Sequence, residues 1–183
     1  MNDLAKYAIL CQQSYMGGEG WIINGDLCFG VFDGILCFRG SANVMNWIRD
    51  FSAIPVLHNG RLVHSGFVVA FAQLFDEVLP QVKQKNIVMT GHSLGAAIAV
   101  LFAEYLGCPA VTFGCPRVWV KGFSLPVKDH RYVICDDDPV PMVPRLFYQE
   151  FKNPIILAGQ GGEIINPKDH NISVYIKRIE RMA

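Results

Sequence analysis

Five consecutive residues, Gly91-His92-Ser93-Leu94-Gly95, carry the strongest chemical signal in the chain. They form the Gly-x-Ser-x-Gly pattern of a nucleophile elbow, in which a serine sits on a sharp turn between a strand and a helix. Glycines two residues before and after the serine leave room where strand and helix pass close together, and Ala96 and Ala97 extend that zone of small side chains. The hydroxyl is then presented at a helix N-terminus, whose backbone N–H groups favour a developing negative charge. The chemistry this arrangement suits is acyl transfer, with Ser93 as the nucleophile and the Leu94 N–H as an oxyanion donor.

A serine hydroxyl needs a base to take its proton and a carboxylate to orient that base. With such an elbow the chain order is serine, acid, histidine. Two histidines follow Ser93. His170 lies in a polar loop, Asn166-Pro-Lys-Asp-His170-Asn, between apolar segments. His130 precedes a strand, which puts it at the wrong end of a sheet and predicts a surface residue. The candidate acids are Asp136, Asp137 and Asp138, just past the end of the strand at 131–135. Strand ends are where ligand and catalytic groups gather in open α/β sheets. The rigid turn Asp138-Pro139-Val-Pro141 would fix one carboxylate, and the other two are read as a solvated loop. His64 and His92 are read as packing or supporting groups, and His58 as a loop residue.

The elements that must position these groups follow from periodicity. Residues 4–15 have helical apolar spacing, ended by Gly17-Gly18. Residues 21–32 and 35–38 are strand-forming runs on either side of Asp33-Gly34, a dipeptide that type I′ turns prefer. Residues 43–51 suit a short amphipathic helix, and residues 67–85 a longer one. Residues 86–90 read as a strand buried on both faces. A helix runs from Ser93 to Leu106 with Gly107 as its stop. Further strands are expected at 109–113 and 131–135, and residues 172–179 as strand or helix. The β–α–β–α–β order predicts an α/β fold with a mostly parallel sheet and helices on its faces.

Composition narrows the function classes. Apolar residues make up 51% and charged residues 17% of 183, enough for one dense core. Sixteen basic and sixteen acidic residues cancel, with no basic run, so no nucleic-acid partner is expected. No stretch approaches the ~20 apolar residues of a spanning helix. Cysteines 11, 28, 37, 108, 115 and 135 have no Cys-x-x-Cys spacing and read as buried free thiols of a reducing compartment, with Cys28 and Cys37 the one pair that could meet across a hairpin. Asp3 and Lys6 interrupt the first apolar run, which is not the form of a signal peptide. A cytoplasmic location is therefore expected. No cofactor or metal site is read, and Asp136–Asp138 are not read as a calcium site.

Several motifs together resemble the class 3 lipase family, the fungal-lipase-like branch of the α/β-hydrolases. Phe38-Arg39-Gly40-Ser41 resembles its strand-end oxyanion motif, Asn46-Trp47-Ile48-Arg49-Asp50 its lid-region signature, and His64-Ser65-Gly66-Phe67 the opening of its next helix. Thr112-Phe113-Gly114-Cys115-Pro116-Arg117-Val118 resembles a further strand end, with Cys115 where glutamine is common. Asp138-Pro-Val-Pro and Asp169-His170 resemble the acid and base motifs, although Met142-Val143-Pro144 replaces the usual ending of the first. The resemblance implies a compact α/β-hydrolase fold in a single domain over residues 1–183, with a Ser93, Asp138 and His170 triad. It adds Ser41 to the Leu94 N–H as oxyanion donors. It also implies a lid carrying Val44, Met45, Trp47, Ile48 and Phe51, which either contacts lipid on opening or packs as a fixed helix. The implied function is a triacylglycerol lipase or esterase acting on an ester or lipid, at a lipid–water interface if the lid moves. The alternatives are a phospholipase A1 or other specialised esterase, and, in a different class, a catalytically silent relative that binds lipid or protein.

Overall fold

The computed structural model describes residues 3–41, 54–82, 86–122, 127, 129–159 and 165–182. In chain order the elements are α1 (Asp3–Met16), β1 (Trp21–Asn24), β2 (Leu27–Phe32), β3 (Ile35–Phe38), β4 (Pro55–His58), β5 (Arg61–His64) and α2 (Ser65–Val78). They continue with β6 (Val88–His92), α3 (Leu94–Leu106), β7 (Ala110–Phe113), β8 (His130–Cys135), β9 (Ile155–Leu157) and α4 (Ile172–Glu180). The expected helix at residues 43–51 lies outside the described residues.

Asp33 and Gly34 both have positive φ, 47° and 77°, as a type I′ turn demands. The turn sets β2 against β3 with Phe32 opposite Ile35. The seven-stranded sheet runs β1-β2-β3-β6-β7-β8-β9. Its first three strands are antiparallel, and from β3 onward every neighbour is parallel. Side chains alternate across it, as strand geometry requires. Leu36, Phe38, Met89 and Tyr132 join the core under α2 and α3, whereas Cys37, Val111, Val133 and Cys135 join the core under α1 and α4. Helices therefore cover both faces. α3 is buried from Leu94 through Ala103, which explains why it is apolar on every side.

Several elements differ from the expected ones. The run at 21–32 is two strands, because Gly25 at φ 58° turns the chain between Asn24 and Leu27. The helix expected at 67–85 starts two residues earlier, where His64 Nδ1 accepts the Gly66 N–H at 3.2 Å. It gives way after Val78 to a short 3₁₀ turn over Leu79–Gln81, where Pro80 cannot continue the ladder. β4 and β5 form a separate hairpin, so His58 closes a strand. The tail is helical. Ile172, Tyr175 and Ile179 face the core at helical spacing, and Asn171 Oδ1 caps the start by accepting the Ser173 N–H at 2.9 Å.

His130 is half-buried, not the surface residue expected. It opens β8, with Nε2 at 2.8 Å from Thr112 Oγ1 and its ring edge-on to Phe151. Burial pulls its pKa down to about 4. All six cysteines are free, with Cys108 half-buried and the others buried. Cys28 does not sit opposite Cys37, which pairs with Gly30 in the β2–β3 register. The thiol that approaches Cys37 is Cys11 on α1, with the sulfurs 4.0 Å apart. Among the described residues no helix is long and apolar enough to cross a membrane.

Candidate active site

Ser93 stands between β6 and α3 with φ 61° and ψ −127°, a strained conformation for a residue with a side chain. Such strain costs on the order of 1–3 kcal/mol and persists only where the surroundings enforce it. Here the Ser93 N–H donates to the Phe113 carbonyl of β7 at 3.0 Å, and the Ser93 carbonyl accepts from Ala96 at 3.0 Å. Gly95 is set against the end of β3, and a Cβ on it would collide with the Phe38 carbonyl. The elbow is thus pinned by backbone on both sides.

Two neighbouring strands bring the remaining groups to the same rim. Two residues past the end of β3 comes Gly40, where an added Cβ would lie 3.1 Å from Ser93 Cβ. Ser41 follows directly, so the chain carrying it passes beside the nucleophile. The Leu94 N–H belongs to the first turn of α3, where no intrahelical carbonyl is available to it. Of the lid-region residues, Val44, Met45, Trp47, Ile48 and Phe51 lie outside the described residues.

β8 delivers Asp138, which is 1% exposed. Its Oδ1 accepts the Val140 N–H at 2.8 Å, the rigid turn expected from Pro139 and Pro141. Its Oδ2 lies 2.8 Å from His170 Nδ1 and accepts the Tyr175 hydroxyl at 2.5 Å. A carboxylate only accepts, so Nδ1 of His170 carries the proton and Nε2 presents a lone pair. His170 ends a 3₁₀ turn, Pro167–His170, immediately before α4. Its ring is bounded by two residues that adjoin the elbow. A Cβ on Gly114 would come within 3.1 Å of His170 Cε1, and Gly114 follows the residue to which Ser93 is bonded. His92 packs against the same ring with centroids 4.6 Å apart. Among the described residues, Ser93 Oγ and His170 Nε2 are both buried without a hydrogen-bond partner. These are the two atoms a proton would pass between.

His92, at the second position of the elbow motif, is buried, with Nδ1 at 2.8 Å from the Tyr15 hydroxyl. Burial first, and the His170 ring second, hold its pKa well below the usual histidine range. It is therefore a neutral wall beside His170. His64 is likewise buried, and burial lowers its pKa to about 4.

Asp136 is exposed, as a solvated loop would have it, but Asp137 is largely sheltered. Arg178 of α4 binds both, and Asp169 as well. Sequence reasoning missed Arg178 and Tyr175. The available signal was an arginine and a tyrosine on the apolar side of an amphipathic helix, since a buried charge or hydroxyl must find a partner.

The sequence profile of the family described as Lipase (class 3) matches residues 35–148. A lipase of Rhizomucor miehei is 40% identical over 133 residues, covering 60% of this chain and 37% of its own length. A secreted mono- and diacylglycerol lipase of Fusarium solani is 35% identical over 133 residues, covering 62% of this chain and 40% of its own. The chain thus spans less than half the length of these relatives. The solved structure of Rhizomucor miehei triacylglyceride lipase superimposes with a TM-score of 0.69 at 25% identity, over 85% of this chain and 79% of that one. The expected cytoplasmic location is overturned by these relatives. The Fusarium protein is a secreted lipase. Free thiols misled because burial alone keeps a cysteine unpaired when no second one meets it in bonding geometry.

Proposed function

Because the chain belongs to the class 3 lipase family, we propose that it is a serine hydrolase that cleaves carboxylic esters of lipids, a triacylglycerol lipase or related esterase. The observation that carries this reading is the Asp138–His170 contact of 2.8 Å, placed at the strand rim that also holds the strained Ser93. Residues 1–183 are taken as one domain, in keeping with a seven-stranded sheet that both helical layers share.

In this mechanism His170 Nε2 takes the Ser93 proton as Oγ attacks the ester carbonyl. Asp138 holds the imidazole in the required tautomer and stabilises its positive charge. The tetrahedral oxyanion is met by the N–H groups of Leu94 and Ser41, each donor of this kind contributing about 3–4 kcal/mol to the transition state. His170 returns the proton to the departing alcohol, leaving an acyl-Ser93. Water, deprotonated by His170, then releases the acid and restores the serine. Ser93 has no exposed surface, which favours a substrate met at a lipid–water interface, where covering groups can give way.

The test is labelling of the purified protein with a fluorophosphonate, which phosphonylates only an activated serine. One equivalent should be incorporated, and Ser93→Ala should take up none and lose about 10⁴–10⁶-fold in ester hydrolysis. Absence of labelling in the unaltered protein would instead support a silent lipid-binding relative. A panel of acylglycerols of graded chain length against phospholipids separates the lipase reading from phospholipase A1.

A further inference from the structure

Asp138 and His170 are 32 residues apart in sequence, and the main chain joins the loop of the one to the turn of the other by a single hydrogen bond, from the Asn166 N–H to the Asp137 carbonyl at 2.8 Å. Beyond that bond and the Asp138–His170 contact, one side chain ties the two segments together. α4 presents Tyr175 and Arg178 three residues apart, hence on one face. Tyr175 reaches Asp138 itself. Arg178 takes Asp137 with both prongs of its guanidinium, Nη1 at 2.9 Å and Nη2 at 3.0 Å. The same Nη1 donates to Asp136 Oδ1 at 3.4 Å and to the Leu157 carbonyl at the end of β9 at 3.2 Å. Nη2 also donates to Asp169, the residue immediately before His170.

We propose that Arg178 is a positioning residue: an ionic clasp that fixes the spacing between the acid-bearing loop and the base-bearing turn, and so the aim of His170 at Ser93. This rests on the triad reading above. The clasp is largely sheltered, with the Arg178 side chain 8% exposed and those of Asp137 and Asp169 16% and 14%. A planar, always charged fork suits two carboxylates on separate segments in a way that a lysine ammonium does not. Arg178 holds the Asp137 carboxyl below its usual range, whereas burial and the neighbouring Asp137 push Asp169 up. The guanidinium thus sits as the one positive charge between two neighbouring carboxyl groups among the described residues. An arginine that merely anchored α4 would need one acidic partner, not one on each side of the imidazole.

The experiment uses the full chain with Arg178→Lys, Asp137→Asn, Asp169→Asn and the Asp137→Asn/Asp169→Asn double variant. Circular dichroism checks the fold of each. The readouts are the rate of Ser93 phosphonylation, and kcat and KM on a short, soluble p-nitrophenyl ester. Misplacement by an ångström costs up to about 100-fold, so each single variant should lose roughly 10–100-fold in kcat and in labelling rate, with KM within about twofold. The double variant should be no worse than the poorer single one, because either substitution severs the same link. If Arg178→Lys fails to fold, the Asp137 and Asp169 cycle decides. Folded variants that label and turn over at the unaltered rate, or asparagine penalties that multiply in the double variant, would overturn the clasp. Failure of the unaltered protein to label would instead overturn the triad reading on which it rests.

Discussion

The elbow and the acid–base rim meet at the same imidazole but are held by different forces. The elbow is local and uncharged. Residues 91–95 adjoin one another, their geometry is enforced by backbone hydrogen bonds to β7 and by contact with β3, and the neighbouring His92 is kept neutral by burial. The rim is assembled from side chains remote in sequence. Asp138, His170, Tyr175 and the Arg178 cluster meet through charge-assisted hydrogen bonds, several of them half-buried. Close packing of backbone tolerates no added atom, whereas a polar network can lose alignment while the fold stays intact. Damage to the elbow should therefore appear as lost stability, and damage to the rim as lost rate.

The largest effect expected under this contrast is at the rim. Asp138→Asn keeps the shape of the side chain but removes the acceptor that fixes the His170 tautomer. Ester hydrolysis should drop by about 10⁴-fold, equivalent to about 5.5 kcal/mol, with the folded state retained. A loss under tenfold would show that the Asp138–His170 contact does not orient the base.

Next comes the elbow. Gly95→Ala drives a methyl group into the Phe38 carbonyl, so the strand and helix must separate. Stability in urea should fall by about 3 kcal/mol, the upper end for overpacking, because the clash is with backbone and not with a side chain that can rotate. An alanine variant with an unchanged urea midpoint would erase the distinction between the two regions.

The smallest effect sharpens the uncharged side of the comparison. Burial holds His130 and His64 at about 4 in the folded chain, against an ordinary 6.5. Between those values the unfolded chain binds more protons than the folded one, so stability rises with pH across this window. The contribution is fully present above pH 6.5 and is lost as pH falls from 6.5 towards 4. His130→Gln should flatten that slope and recover about 1–3 kcal/mol of the loss between pH 7 and pH 4. Urea titrations at both pH values measure this, and equal slopes in the two proteins would show that His130 is protonated freely in the folded state.

The legible parts of the site were those whose residues depend on their immediate neighbours. The elbow is written in five adjacent residues because the turn is too tight for other side chains. The Asp33-Gly34 hairpin was legible for a similar reason, since positive φ restricts the residue types. Asp138 was marked by the prolines that follow it. The roles of Asp136 and Asp137 were not legible. Acidic residues in a loop look the same whether they face water or an arginine 41 or 42 residues away. Tyr175 was hidden likewise, because an apolar tail with one tyrosine does not reveal which strand end its hydroxyl will meet. β9 was missed for another reason, as three residues are too few to show a period.

The sequence by itself determined the parallel sheet, the elbow and the residue types that could pass a proton, because each depends on periodicity or on backbone constraints within a few positions. Only the tertiary structure decided that His170 turns its Nδ1 to Asp138, that His130 is half-buried against Thr112 and Phe151, and that Arg178 joins the two segments on either side of the imidazole. The physical reason is that charge pairing acts through space. Its partners are chosen by how α4 docks on the sheet, and that docking is set by the whole core.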